Sequence, residues 1–188
     1  MMSVKRDDIL RATVQLVCEE GVQASSMSRI ARRAGVGMGT IYNYFDSKET
    51  LLGELYVTHG DHLRGSIFSN FPTSGSFEER FKHVWRAMIQ HFEAHPEEFH
   101  FAERVRHSSA LPDASREQRL QMWSDLDDLF AEARSRQIVG DIDLGVFLAM
   151  LHGAIGGYLG QPNPHAKPTL ERVLDGFWQA LTGPSAGS

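Results

Sequence analysis

Residues 25–49 read SSMSRIARRAGVGMGTIYNYFDSKE, and the fold is decided there. Ile30, Ala31 and Ala34 share one face of a short helix by their three- and four-residue spacing. Ser25 or Ser26 supplies an N-cap hydroxyl for that helix. Gly35-Val36-Gly37 then breaks the pattern, and Gly35 can take the positive φ that ends a helix cheaply. A second short helix is predicted from about Met38 to Tyr44, with Ile41 and Phe45 placed to pack inward. Helix, tight glycine turn and second helix are the layout of a helix-turn-helix reader of DNA. The competing reading is a plain three-helix packing unit with a tyrosine-rich surface, and it needs several features to coincide by accident.

The second helix carries Met38, Gly39, Thr40, Tyr42, Asn43 and Tyr44, a polar and aromatic set that is almost uncharged. Thr40 and Asn43 can hydrogen-bond to base edges or phosphate, and Asn suits adenine in the major groove. Tyrosine hydroxyls reach phosphates, which fixes register without reading sequence. Asp46 or Ser47 caps a following helix, placing Lys48 in its first turn beside free backbone N–H groups that could share a phosphate. Ser28 and Arg29 complete the candidate DNA-binding set.

The run Ile30-Ala31-x-x-Ala34-Gly35-Val36-x-x-Gly39-Thr40-x-Tyr42-x-Tyr44-Phe45-x-x-Lys48-Glu49-x-Leu51 resembles the signature of the TetR family of bacterial transcriptional regulators. Gly37 departs from it, because that family usually has a side-chain cap there; glycine still permits the helix but offers no side-chain contact. The resemblance gives Thr40, Tyr42, Tyr44 and Lys48 the DNA-contact positions, and puts Met38 and Asn43 where members vary with operator sequence. It implies an all-α protein of about nine helices. Residues 1–48 would form the DNA-binding domain and 49–188 an effector-binding and dimerisation domain. It further implies a homodimer on a double-stranded DNA operator, acting as a repressor and released by a small-molecule effector, without a cofactor.

Charge fits that picture once it is divided. The 188 residues carry 19 Lys/Arg against 24 Asp/Glu, which looks wrong for a DNA binder. Residues 1–50 hold seven cations against six acids, and the rest twelve against eighteen, so the acidic excess lies in the body. A weakly basic reader leans on geometry and dimerisation for specificity. Cys18 is the sole cysteine, so no intrachain disulfide forms and a reducing cytoplasm is expected; it is a small packing residue or an exposed thiol. No signal segment follows the N-terminus, and the apolar run 145–159 reads as a buried helix rather than a membrane span.

The remaining pattern is helical throughout. A first helix is expected over Lys5–Glu20 with Gly21 as its stop, and a long one from Ser47 to about Phe68. Gly53 and Gly60 lie inside the latter; Gly60 is either a close-packing position or a compliant point in the rod. After the loop 70–76, Phe77, Phe81, Val84, Trp85, Met88 and Phe92 form an apolar stripe. Pro96 suits the first turn of the next helix. Further helices are expected over 115–137, 143–159 (with Gly140 before it) and 169–181, with the loop 160–164 between the last two.

The body supplies two more candidate sets. Trp85, Met88, Phe92, Phe99, Met122, Trp123, Phe130 and His152 are either core or the lining of an effector pocket. Phe147, Met150, Gly153 and Gly157, with Leu174, Phe177 and Trp178, are either one protomer's core or a four-helix dimer seam. His59/His62 and His91/His95 show metal-ligand spacing, but a competent site needs three or four ligands, so a metal-responsive regulator is the alternative reading. A DNA-processing enzyme would need an acidic cluster, and Asp125/Asp127/Asp128 read as a wet helix face; no nucleophile or phosphate-loop motif marks the chain as an enzyme.

Overall fold

The computed structural model describes residues 4–121, 123–138, 144–161 and 168–182, with backbone alone for Val4, Asp125, Leu144, Phe147, Leu148 and Leu151. Every regular element among the described residues is a helix: α1 (Val4–Glu20), α2 (Met27–Arg33), α3 (Met38–Tyr42), α4 (Lys48–Phe68), α5 (Phe77–Ala94), α6 (Pro96–Val105), α7 (Asp113–Gln121), α8 (Ser124–Ser135), α9 (Leu144–Leu159) and α10 (Leu170–Thr182). The expected all-α class is therefore what the chain adopts. The count rises from nine because the helix expected over 115–137 is two helices. Leu120, Trp123, Leu126 and Phe130 keep helical spacing, yet the chain turns at Trp123 (φ −97°, ψ 7°). Leu120 stays exposed while Trp123 is buried. Met122, Gly140, Asp143 and the 162–164 loop lie outside the described residues.

Two compact units result. The first comprises residues 1–64 and 94–122, the second residues 65–93 and 123–188. This division follows packing, whereas the 48/49 line expected from the sequence was drawn by role.

In the first unit, Ile9, Leu16 and Val17 of α1 meet Ile30 and Ala31 of α2, Ile41 of α3, and Leu51, Leu52 and Leu55 of α4 in one core. Phe101 and Val105 of α6 close it. Local chemistry sets the ends. Gly21 ends α1 at φ +87° and Gly35 makes the α2–α3 turn at φ +68°, backbone states that L side chains adopt only at a cost. Ser26 caps α2 by accepting from Arg29 N–H, and Ser47 Oγ accepts from Thr50 N–H at the start of α4. Pro96 takes the first turn of α6 as expected, behind His95. Gly53 and Gly60 are close-packing positions: a Cβ at Gly53 would meet Ser115 Oγ at 2.5 Å, and one at Gly60 would meet Arg119 Nη1 at 3.2 Å.

The second unit is built on α5, whose Phe77, Phe81, Val84, Trp85, Met88, Ile89 and Phe92 are all buried. Trp85 stacks on Phe177 of α10 with centroids 3.9 Å apart, and Phe77 and Phe81 lie beside Trp178. Lys82–Asp175 and Arg86–Glu171 pin α5 to α10, and Arg80–Glu132 pins it to α8. Among the described residues no helix is long and apolar enough to cross a membrane.

Candidate nucleic-acid interface

The recognition segment is shorter than the sequence reading made it. α3 is five residues, Met38–Tyr42, with Asn43 as its C-cap and Tyr44 in the turn after it. Five residues cannot hold a helix in water unaided, so tertiary anchors set its geometry. Ile41 and Phe45 are fully buried, and Tyr44 and Val36 pack against the same core. Gly37 is the N-cap and offers no side-chain hydrogen bond, as the departure from the family pattern implied.

What that anchoring leaves outside is the candidate interface. Met38, Gly39, Tyr42 and Asn43 are exposed, Thr40 is half-buried, and Ser28 is exposed with its Oγ 3.0 Å from Ser26 Oγ. All six lie in or beside the α2–α3 pair. Two other candidates are already engaged. Arg29 donates to Ala24 O and to Glu20 Oε1. Lys48 donates to Val22 O at 3.2 Å, tying the start of α4 to the loop after α1; an ammonium keeps two further donors for a phosphate.

Electrostatics sharpen the picture. Arg33 is paired with Glu19, Arg11 with Asp8 and Arg6 with Glu54. Arg32 is exposed in the last turn of α2 with no ion pair among the described residues, so its charge is available to a phosphate. The sequence alone does not distinguish it, because Glu19 and Glu20 select among three nearby arginines only once α1 and α2 are packed.

Of the body candidates, Trp85, Met88, Phe92, Trp123 and Phe130 are buried in the second unit and His152 is half-buried there; Phe99 is buried in the first unit. Met122 and the Phe147 side chain lie outside the described residues. On α9, Met150 is 57% exposed and Val146 53%. Gly153 and Gly157 face open space where a Cβ would stand. Leu174 is fully buried in its own chain and offers no surface to a second one. Phe177 and Trp178 are half-buried in the aromatic cluster of α5. Among the described residues no three of His, Cys, Asp and Glu converge to hold an ion. Asp127 and Asp128 are exposed on α8.

A three-helix head with a glycine-turned second pair, its short last helix anchored inward and polar outward, defines a helix-turn-helix protein with an all-α body. Residues 9–55 match the family model of the bacterial regulatory proteins of the tetR family, and residues 60–159 match the tetracyclin repressor-like C-terminal domain. The chain belongs to the TetR family. A helix-turn-helix-type transcriptional regulator of Staphylococcus aureus is 33% identical over 90 residues, 43% of this chain and 49% of that protein; the match thus spans about half the length of that relative. The fold resembles that of a TetR-family transcription regulator from a Shewanella species (TM-score 0.84, 20% identity, 97% of this chain and 100% of that one). A TetR-family regulator structure from Vibrio parahaemolyticus is 29% identical, with a TM-score of 0.69 over 96% of this chain and all of that one.

Proposed function

We propose that this chain is a ligand-responsive DNA-binding transcriptional regulator, a repressor that sits on a palindromic operator as a homodimer and is released by a small-molecule effector. One observation carries the reading. The α2–α3 pair turns Met38, Tyr42 and Asn43 to solvent while Ile41 and Phe45 lock it into the core. Each protomer would lay α3 in a major groove, with half-site centres about 34–36 Å apart or a multiple of that. The exposed Val146, Met150, Gly153 and Gly157 of α9 support a second copy as the partner that sets the spacing. An effector that displaces α4, the helix leading straight from the recognition turn, would spoil that spacing. It needs a preference of roughly 5.5 kcal/mol for the non-binding state to invert the populations from 99:1 to 1:99.

Selection of bound duplexes from a random pool tests this directly. A palindrome protected by a dimer supports it, and no enrichment at any salt concentration removes it. Asn43→Ala is expected to cost about 1–3 kcal/mol at one base position and relax preference there, read by competition between operators differing at that base. Tyr42→Phe removes a hydroxyl from an exposed position. It should weaken binding evenly across sequences, a uniform loss that binding isotherms on specific and non-specific duplexes would reveal.

A further inference from the structure

At least nine of the fifteen arginines are matched to acids. Arg6, Arg11, Arg29, Arg33, Arg80, Arg86, Arg106, Arg116 and Arg136 each have a carboxylate within salt-bridge distance. Arg119 of α7 has none among the described residues and is nonetheless half-buried. Its Nη1 donates to Tyr56 O at 2.5 Å and its Cζ stands 4.4 Å from the centre of the Tyr56 ring. It can lie so close to α4 because position 60 is glycine. Nε and Nη2 make no hydrogen bond among the described residues.

A withdrawn guanidinium with no carboxylate in salt-bridge distance is costly, and burial holds its pKa below the ordinary value against the opposing pull of the more distant Glu98 and Asp61. One residue before Gly60 stands a second underserved group. His59 is nine-tenths buried, edge-on to Phe101 at 5.2 Å, and its Nδ1 has no hydrogen-bond partner. Both groups belong to the same stretch of α4 and what packs on it. Each would recover energy from one added molecule bearing an anionic fork and a neighbouring polar atom.

We propose that the Nε/Nη2 edge of Arg119, with His59 beside it, receives the carboxylate of a small organic acid, and that this acid belongs to the effector class. The inference rests on the ligand-responsive reading above. The planar edge matches two carboxylate oxygens in parallel. A monoanion fits better than a phosphate dianion, because Glu98, itself buried, and Asp61 already place negative charge within reach of this single cation. The half-buried Tyr56 ring favours a carbon body over a bare ion. Engagement there loads Arg119, which bridges α7 to the middle of α4, the helix whose first turn holds Lys48 beside the recognition segment.

The test titrates the full chain with sodium benzoate and sodium butyrate at constant ionic strength. Sodium chloride, sodium phosphate, benzyl alcohol and 1-butanol are the comparison arms, and thermal midpoint and affinity for a selected operator are read in parallel. Saturable stabilisation by a carboxylate is expected, with weaker operator binding, an apparent Kd at least tenfold higher in Arg119→Gln, and an intermediate one in Arg119→Lys. Equal stabilisation by chloride, phosphate or the matched alcohol overturns the carboxylate assignment, as does a Kd unchanged in Arg119→Gln or no saturable response to either acid. Should Arg119→Gln not fold, the wild-type contrast between acid and alcohol decides alone. Operator release by a neutral compound without any response to acids sinks this inference and leaves the proposed function intact. Saturable benzoate binding by a chain that recognises no duplex does the reverse.

Discussion

Phe45→Ala is expected to lower stability by about 3–5 kcal/mol and to cost operator affinity beyond what the unfolded fraction explains. Phe45 is 1% exposed and joins Ile41, Leu51 and Leu52 in the core of the first unit. The Arg6 guanidinium lies over its ring at 5.4 Å, and Arg6 in turn pairs with Glu54 of α4. Truncation therefore removes the transfer energy of a ring, opens a cavity, and takes away the surface on which the Arg6 stem and charge rest. Against a typical domain stability of about 5–15 kcal/mol, that is a large share.

The second effect is geometric. α3 has five residues, so its direction is set by where Ile41 and Phe45 are held. Phe45→Leu keeps most of the volume and should cost far less while retaining DNA binding. Urea unfolding of the three proteins with unchanged m-values, alongside operator titrations, checks both parts. A loss below about 1 kcal/mol for the alanine variant would mean that the ring is not enclosed.

How far such anchors can be read in advance depends on how local they are. The α2–α3 turn was legible because each determinant lies within a few residues of its effect. Ser26 caps the helix it precedes, Gly35 takes the positive φ of the turn it occupies, and Ile30 and Ile41 face the core from adjoining helices. The break at Trp123 was not legible. Neither proline nor glycine marks it, and apolar spacing continues across it, so periodicity alone extends one helix where there are two.

Long-range pairing was equally hidden. Nothing near Arg86 points to Glu171, or near Lys82 to Asp175. Gly60 shows the limit most clearly. Its sequence neighbours are consistent with either a compliant point or close packing, and only the arrival of Arg119 from α7, 59 positions further on, settles which. The exposed residues of α3 were legible because a helix-turn-helix is a local motif. Arg29 and Lys48 were harder to place because their partners, Glu20 and Val22, lie across a packed interface.

Acid should expose His59. Burial holds its pKa near 4 instead of the ordinary 6.5; Arg119 and His62 push the same way, while Glu98 and Glu97 oppose them. A lowered histidine pKa means that the unfolded chain binds the proton first. Stability is therefore full above about pH 6.5, falls as pH drops from there, and levels off near pH 4 where the folded imidazole also charges. A gap of this size corresponds to a ceiling of about 3 kcal/mol, of which about 2 kcal/mol is lost by pH 5. His59 is only 9% exposed, so solvent screening discounts this little. Groups that titrate alike in both proteins cancel when the wild type is compared with a variant. His59→Leu removes the proton site while keeping an apolar side chain against Phe101. Urea unfolding at pH 7 and pH 5 should show the wild type losing about 2 kcal/mol more than His59→Leu. Parallel losses in the two proteins would mean that the imidazole is not held neutral inside α4's packing. The neutral state matters for the site as well. A charged His59 would set a second positive charge beside Arg119, so carboxylate binding there should tighten as the imidazole gains its proton.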